Sequence, residues 1–144
     1  MKKNSLILML VAAVMMTSSC KKEKAVVSDP RDSFVGTWQG TVHIIIPDLS
    51  YDQSSANTYD ISKSSSNSSQ IIVDANGTAN VNGNSFVYNQ FSETSQDPTL
   101  GTLIIVCNGT GTLNGSNLTE SGTIDYIIQG TTYNGTWSSN MVKQ

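Results

Sequence analysis

Hydrophobic positions in this 144-residue chain follow two different rhythms. Residues 6–16 are an unbroken apolar run, preceded by Met1, Lys2 and Lys3 and followed by Thr17, Ser18 and Ser19. From Phe34 onward, apolar residues recur at every second position instead. Between Phe34 and Ile46 the even positions carry Phe34, Trp38, Val42, Ile44 and Ile46, with Gly36 and Gly40 between them. The odd positions carry Thr37, Gln39, Thr41 and His43 beside Val35 and Ile45. A strand sends successive side chains to opposite faces, so this period puts the large apolar groups inward and most polar groups outward. Pro47 lacks the N–H that a ladder needs and marks the end of the strand or a bulge.

No later segment shows helical periodicity. Further strands are expected at 58–63, 70–74, 78–82, 85–91, 102–107, 110–113, 117–129 and 131–138, with loops at 48–57, 62–69 and 92–99. Nine of the eleven glycines precede threonine, and Asn-Gly begins at positions 76, 82, 108, 114 and 134. That dipeptide suits the positive backbone angles of a type I′ hairpin. Eight or so short strands joined by tight turns predict an all-β fold, a single antiparallel up-and-down β-barrel, with a β-sandwich as the alternative. Closing the sheet would also remove edges that a chain this poor in charge cannot protect.

The apolar run is too short to cross roughly 30 Å of hydrocarbon as a helix and has the length of a secretory signal. Cys20 follows the small residues directly, and Lys21, Lys22, Glu23 and Lys24 come next. This arrangement resembles the lipobox of bacterial lipoproteins, although Thr17 stands where that motif usually has Leu. The resemblance implies cleavage after Ser19, a diacylglycerol thioether on Cys20 and acylation of the new amine. Such an anchor holds because stable attachment needs more than one chain, each buried methylene contributing about 0.8 kcal/mol. By the same resemblance, Asp at position 21 would imply retention in the inner membrane, and Lys21 implies the outer membrane. The expected organisation is a signal peptide at 1–19, a lipidated cysteine and flexible tether at 20–33, and one β domain at 34–144.

That domain holds two basic residues, Lys63 and Lys143, against eight acids, a formal charge of −6. Nucleic acid is therefore not an expected partner, since phosphate contacts need clustered Lys or Arg. Cys107 is the other cysteine in the sequence. With Cys20 lipidated it would have no disulfide partner, and it reads as an inert buried thiol.

Gly36-Thr37-Trp38, early in the first strand, resembles the Gly-x-Trp signature of lipocalins and related calycin barrels. Gly135-Thr136-Trp137 repeats it in the last strand, which would close the barrel against the first. The resemblance implies a lipocalin-like barrel with its Trp across the closed end. Lipocalins tend to lay a late Arg over that Trp; here the late basic residue is Lys143.

Catalytic chemistry is poorly supplied. The one histidine, His43, falls on the outward face, and either a nucleophile–base pair or a zinc site would depend on it. Asp48, Asp52 and Asp60 offer carboxylates for calcium or glycoside chemistry without the spacing that either requires. Tyr51, Tyr59 and Tyr133 could stack on a sugar or pack at a rim. The expectation is a protein that is not an enzyme and uses no cofactor: a membrane-anchored binding module for a small apolar ligand. Trp38, Val42 and Ile44 would line its interior. The alternative is a filled barrel acting as a structural or interaction lipoprotein of the envelope, for example an inhibitor of a host enzyme. The address is tested first. Cys20→Ala should abolish both fatty-acid labelling and recovery in the membrane fraction, and unchanged labelling would refute the lipobox.

Overall fold

The computed structural model describes residues 28–74, 77–97 and 101–144. The leader and Cys20 lie outside the described residues. Within them run nine strands: β1 (Gly36–Ile46), β2 (Tyr51–Lys63), β3 (Gln70–Val73), β4 (Gly77–Asn82), β5 (Ser85–Tyr88), β6 (Phe91–Asp97), β7 (Gly101–Asn114), β8 (Asn117–Ile128) and β9 (Thr131–Lys143). They form one antiparallel sheet in the order β5-β4-β3-β2-β1-β9-β8-β7-β6. An additional β5–β7 pairing bends the sheet into a ring. The fold is thus the expected all-β up-and-down barrel and not two packed sheets.

Two segments expected as loops are strands. Every residue of β1 has a partner on β2, from Gly36↔Ile61 to Ile46↔Tyr51. The backbone ladder thereby draws the polar stretch 51–57 into the sheet, although its side chains carry no β signal. β6 likewise covers most of 92–99 by pairing with β7. The two strands expected at 102–107 and 110–113 are one, with Asn108 and Gly109 inside it. The Asn-Gly rule fails in an instructive way. Asn82 and Asn114 end their strands, so Gly83 (φ 59°) and Gly115 (φ 63°) take the first turn position, as in a type II′ hairpin. Among the described residues, the turn with two successive positive φ values is Gln129-Gly130, at 51° and 83°.

One end of the barrel is packed shut. Phe34, Trp38, Ile61, Ile71, Val73, Ala79, Phe86, Leu113, Leu118 and Met141 make its buried core. Trp38 is fully buried and its Nε1–H donates to the Phe34 carbonyl at 2.7 Å. Lys143 stands over the indole, Nζ 5.5 Å from the ring centroid, and donates to the Ser33 carbonyl at 2.9 Å. A cation over a Trp face adds electrostatic attraction to packing. Gly36 sits beside that lysine at φ 138°, where a side chain would be strained and would press on Lys143 Cε at 2.9 Å.

The chain leading into β1 belongs to this closed end. Asp29 caps a 3-10 turn at Pro30–Ser33 through the Arg31 backbone N–H. Hydrogen bonds from Arg31, with its positive charge, hold the Asp29 carboxyl well below the usual range. Arg31 Nη1 donates to the carbonyls of Ser64, Asn67 and Gln70, and Lys63 pairs with Asp29 and Asp32. Residues 29–33, assigned by composition to the tether, are thus bonded to the β2–β3 connection.

Ring closure itself depends on a missing side chain. Phe86 lies opposite Gly111 across the β5–β7 ladder, and a Cβ there would overlap the Phe86 ring. Phe86 is 1% exposed and cannot swing aside. Gly111→Ala should therefore destabilise the fold by about 1–3 kcal/mol, the usual penalty of overpacking. In urea unfolding, the added change Phe86→Leu should recover part of that loss. Full additivity of the two changes would refute the contact.

Candidate functional site

The ring is complete over only part of its height. β3 and β4 are short, and β5 pairs with β7 through Ser85, Phe86 and Val87. Beyond Asn89 and Gln90 the chain resumes as β6, which lies along β7 but is not joined to β4. On its other side, β2 meets β3 only at Ile61, Ser62 and Lys63. Among the described residues, the stretch of β2 from Tyr51 to Tyr59 therefore has a ladder partner in β1 alone, while the Asp60 carbonyl accepts from the Asp74 N–H at 2.8 Å. Among the described residues, a side opening is left between β2 and β6.

Behind this opening lies a cavity of about 280 Å³. Val42, Ile44, Phe91, Ile124 and Trp137 supply its apolar wall. Its inner polar surface comes from Tyr59, Tyr88 and Glu120. Trp137 can lie against the wall because Gly109 leaves room for it; a Cβ there would come within 2.8 Å of Trp137 Cζ2. The indole Nε1–H donates to the Asn108 carbonyl at 3.0 Å. Edge-to-face rings connect the cavity to the closed end, Phe34 to Phe86 at 5.4 Å, Phe86 to Tyr88 at 5.1 Å and Tyr88 to Trp137 at 5.9 Å.

Glu120 is the chemical centre of the interior. It is 4% exposed and accepts three hydroxyl hydrogen bonds, each 2.5 Å: Tyr59 and Ser139 on Oε2, Tyr88 on Oε1. Burying a carboxylate is costly without such donors. Burial, reinforced by the negative charge of Glu120, pushes both tyrosine hydroxyls well above their ordinary pKa of 10.0, so both remain donors. Cys107 lies in the same wall, and burial raises its thiol from 9.0 to about 11. That keeps it protonated and a poor nucleophile.

Of the residues expected to line the interior, Val42 and Ile44 do so. Trp38 does not; it belongs to the closed-end core, because the barrel is filled at the level of β3 and β4. Cys20 lies outside the described residues. His43 sits on the outer face with Nε2 2.7 Å from Asp52 Oδ1. Asp60 accepts from Thr37 at 2.6 Å and Asp48 lies in the turn Pro47–Leu49, so these three carboxylates do not converge. Among the described residues, no group of three His, Cys, Asp or Glu is placed to hold a metal ion, and no helix is long and apolar enough to cross a membrane.

No protein-family model matches the chain, and no curated protein matches it. Among solved structures it is similar to a protein of unknown function of the DUF3598 family from Nostoc punctiforme, with a TM-score of 0.42 and 12% identity over 78% of this chain. The match covers 48% of that protein, so this chain spans about half its length.

Glu120 was not singled out from the sequence, yet a signal was there. Leu118, Glu120, Gly122 and Ile124 share the inward parity of β8, where an acid among apolar residues marks a buried charge. The titration shifts predict alkaline sensitivity. Tyr59, Tyr88 and Cys107 hold their protons more tightly folded than unfolded, so their stabilisation is complete below about pH 9 and is lost as pH rises through their folded values. The urea midpoint should fall from pH 9 to 11. Tyr88→Phe should lower the midpoint at pH 7 and flatten that fall; an unaltered slope would contradict the assignment.

Proposed function

We propose that this chain is a lipid-anchored protein of the bacterial envelope, held through Cys20, whose barrel is a non-catalytic binding module for a small, mostly apolar ligand. The observation that carries the binding reading is the cavity of about 280 Å³ behind the opening between β2 and β6. Its volume is near the lower end for small-molecule sites, and its wall has their usual character, apolar with a few placed polar groups. The closed end answers the objection that an eight-stranded barrel is filled by its own side chains. Here the filling stops at Tyr59, Tyr88 and Glu120, and Trp137 lies against the wall instead of across the space.

A lipocalin-like kinship is supported by the same closed end. Gly36-Thr37-Trp38 begins β1, Trp38 spans the plugged end, and Lys143 stands over the indole where lipocalins place Arg. The described chain also enters at that end, through Pro30–Ser33. A second reading, contact with a partner protein such as a host enzyme, is favoured by the unpaired edge of β2. Free N–H and C=O groups can add a partner strand there.

Native mass spectrometry separates the two readings. Residues 21–144, purified without lipid and exposed to a membrane extract, should retain one small molecule per chain. Ile124→Trp, which fills the cavity, should abolish retention while the β circular-dichroism signal persists. Failure of the unaltered protein to retain a molecule, or equal retention by the filled variant, would overturn the binding reading.

A further inference from the structure

The cavity has a one-sided charge that an apolar ligand alone would not use. Its lining includes Asp74, Glu93 and Glu120, and no Lys, Arg or His. The cations of the described chain are elsewhere: Arg31 and Lys63 are engaged at the β2–β3 connection, Lys143 lies over Trp38, and His43 is on the outer face. Glu120 is held by three hydroxyl dipoles with no counter-ion in contact. A carboxylate has about four acceptor positions, and these three bonds leave one on Oε1, the oxygen shared with Tyr88. Glu93 adds a second carboxylate where the wall meets solvent, on β6.

The aromatic faces point the same way. Tyr88 and Trp137 meet edge to face at the cavity wall, 5.9 Å between centroids, and Phe91 lines the same space. Aromatic faces attract cations, most strongly where water is excluded. An anionic amphiphile such as a fatty acid would instead bring its carboxylate against Glu93 and Glu120, a like-charge contact that a desolvated site disfavours.

We infer that the ligand of this cavity is an organic cation, a protonated amine on a small apolar body. The ammonium donates to Oε1 of Glu120 beside the Tyr88 and Trp137 rings, and the body lies on Val42, Ile44, Phe91 and Ile124. This inference rests on the ligand-binding reading above and specifies its chemistry.

Three probes of nearly equal size test it: phenethylammonium, 2-phenylethanol and phenylacetate. Each is titrated by calorimetry at pH 7 into residues 21–144, which include every described residue of the barrel. The ammonium should bind at least tenfold more tightly than the alcohol, and phenylacetate should not bind. Glu120→Gln should bring the ammonium to the level of the alcohol. Should that variant fail to fold, Glu93→Gln on the exposed rim should reduce the ammonium's advantage about two- to threefold, and added salt should do the same. Equal binding of the alcohol, or any preference for phenylacetate, would overturn the cation while leaving the cavity reading intact. Absence of binding by all three would overturn both.

Discussion

The fold turns on how β7 is shared. Its 14 residues are served on one side by two short strands, β5 over Thr110, Gly111 and Thr112 and β6 over the stretch from Gly101 to Cys107. Only β5 continues the sheet to β4. The ring is therefore shut at one level and open at the other. The three closing pairs require Gly111 opposite Phe86, since the ring occupies the space of a side chain. A longer β3–β4 hairpin would have supplied partners for the rest of β2 and filled the opening.

Glu120 marks the boundary between the two levels. On its closed side lie Trp38, Phe86, Leu118 and Met141, all buried in one apolar cluster. On its open side lie the cavity and Trp137. Tyr59, Tyr88 and Ser139 come from β2, β5 and β9, so one carboxylate ties together strands from around the ring. A network of this kind specifies a single arrangement, because half-satisfying it would be worse than an apolar core. It also gives the interior its negative sign, and under the proposed function the same carboxylate would select the ligand.

Much of the fold was legible from period-two patterning. The alternation from Phe34 to Ile46 fixed the faces of β1, and the second Gly-x-Trp placed β9 beside it, where Ile44 pairs with Trp137. The stretches 51–57 and 92–97 were not legible, because backbone pairing with β1 and β7 decides them and their Ser, Asn and Gln side chains do not. The hairpins were misread for a related reason. Register, and not the Asn-Gly dipeptide, determines which residue takes the turn, and at Asn108 and Asn134 the dipeptide lies within a strand. Within the site, Val42 and Ile44 followed from parity. Trp38 shared that parity but lies nearer the plug, and alternation carries no information on height along a barrel. Glu120 was visible as an anomaly in β8, while its hydroxyl partners lie 61, 32 and 19 residues away and become neighbours only through the topology.

Backbone exchange tests the half-open ring most directly. In residue-resolved hydrogen exchange, β2 amides bonded to β1 should be protected between Asp52 and Asp60. Those facing β6 should exchange nearly as fast as in a free chain, giving an alternating pattern along the strand. The amides joining β5 to β7 should be among the slowest. Uniform protection along β2 would mean that β2 and β6 pair, the ring is shut throughout, and the cavity has no entrance.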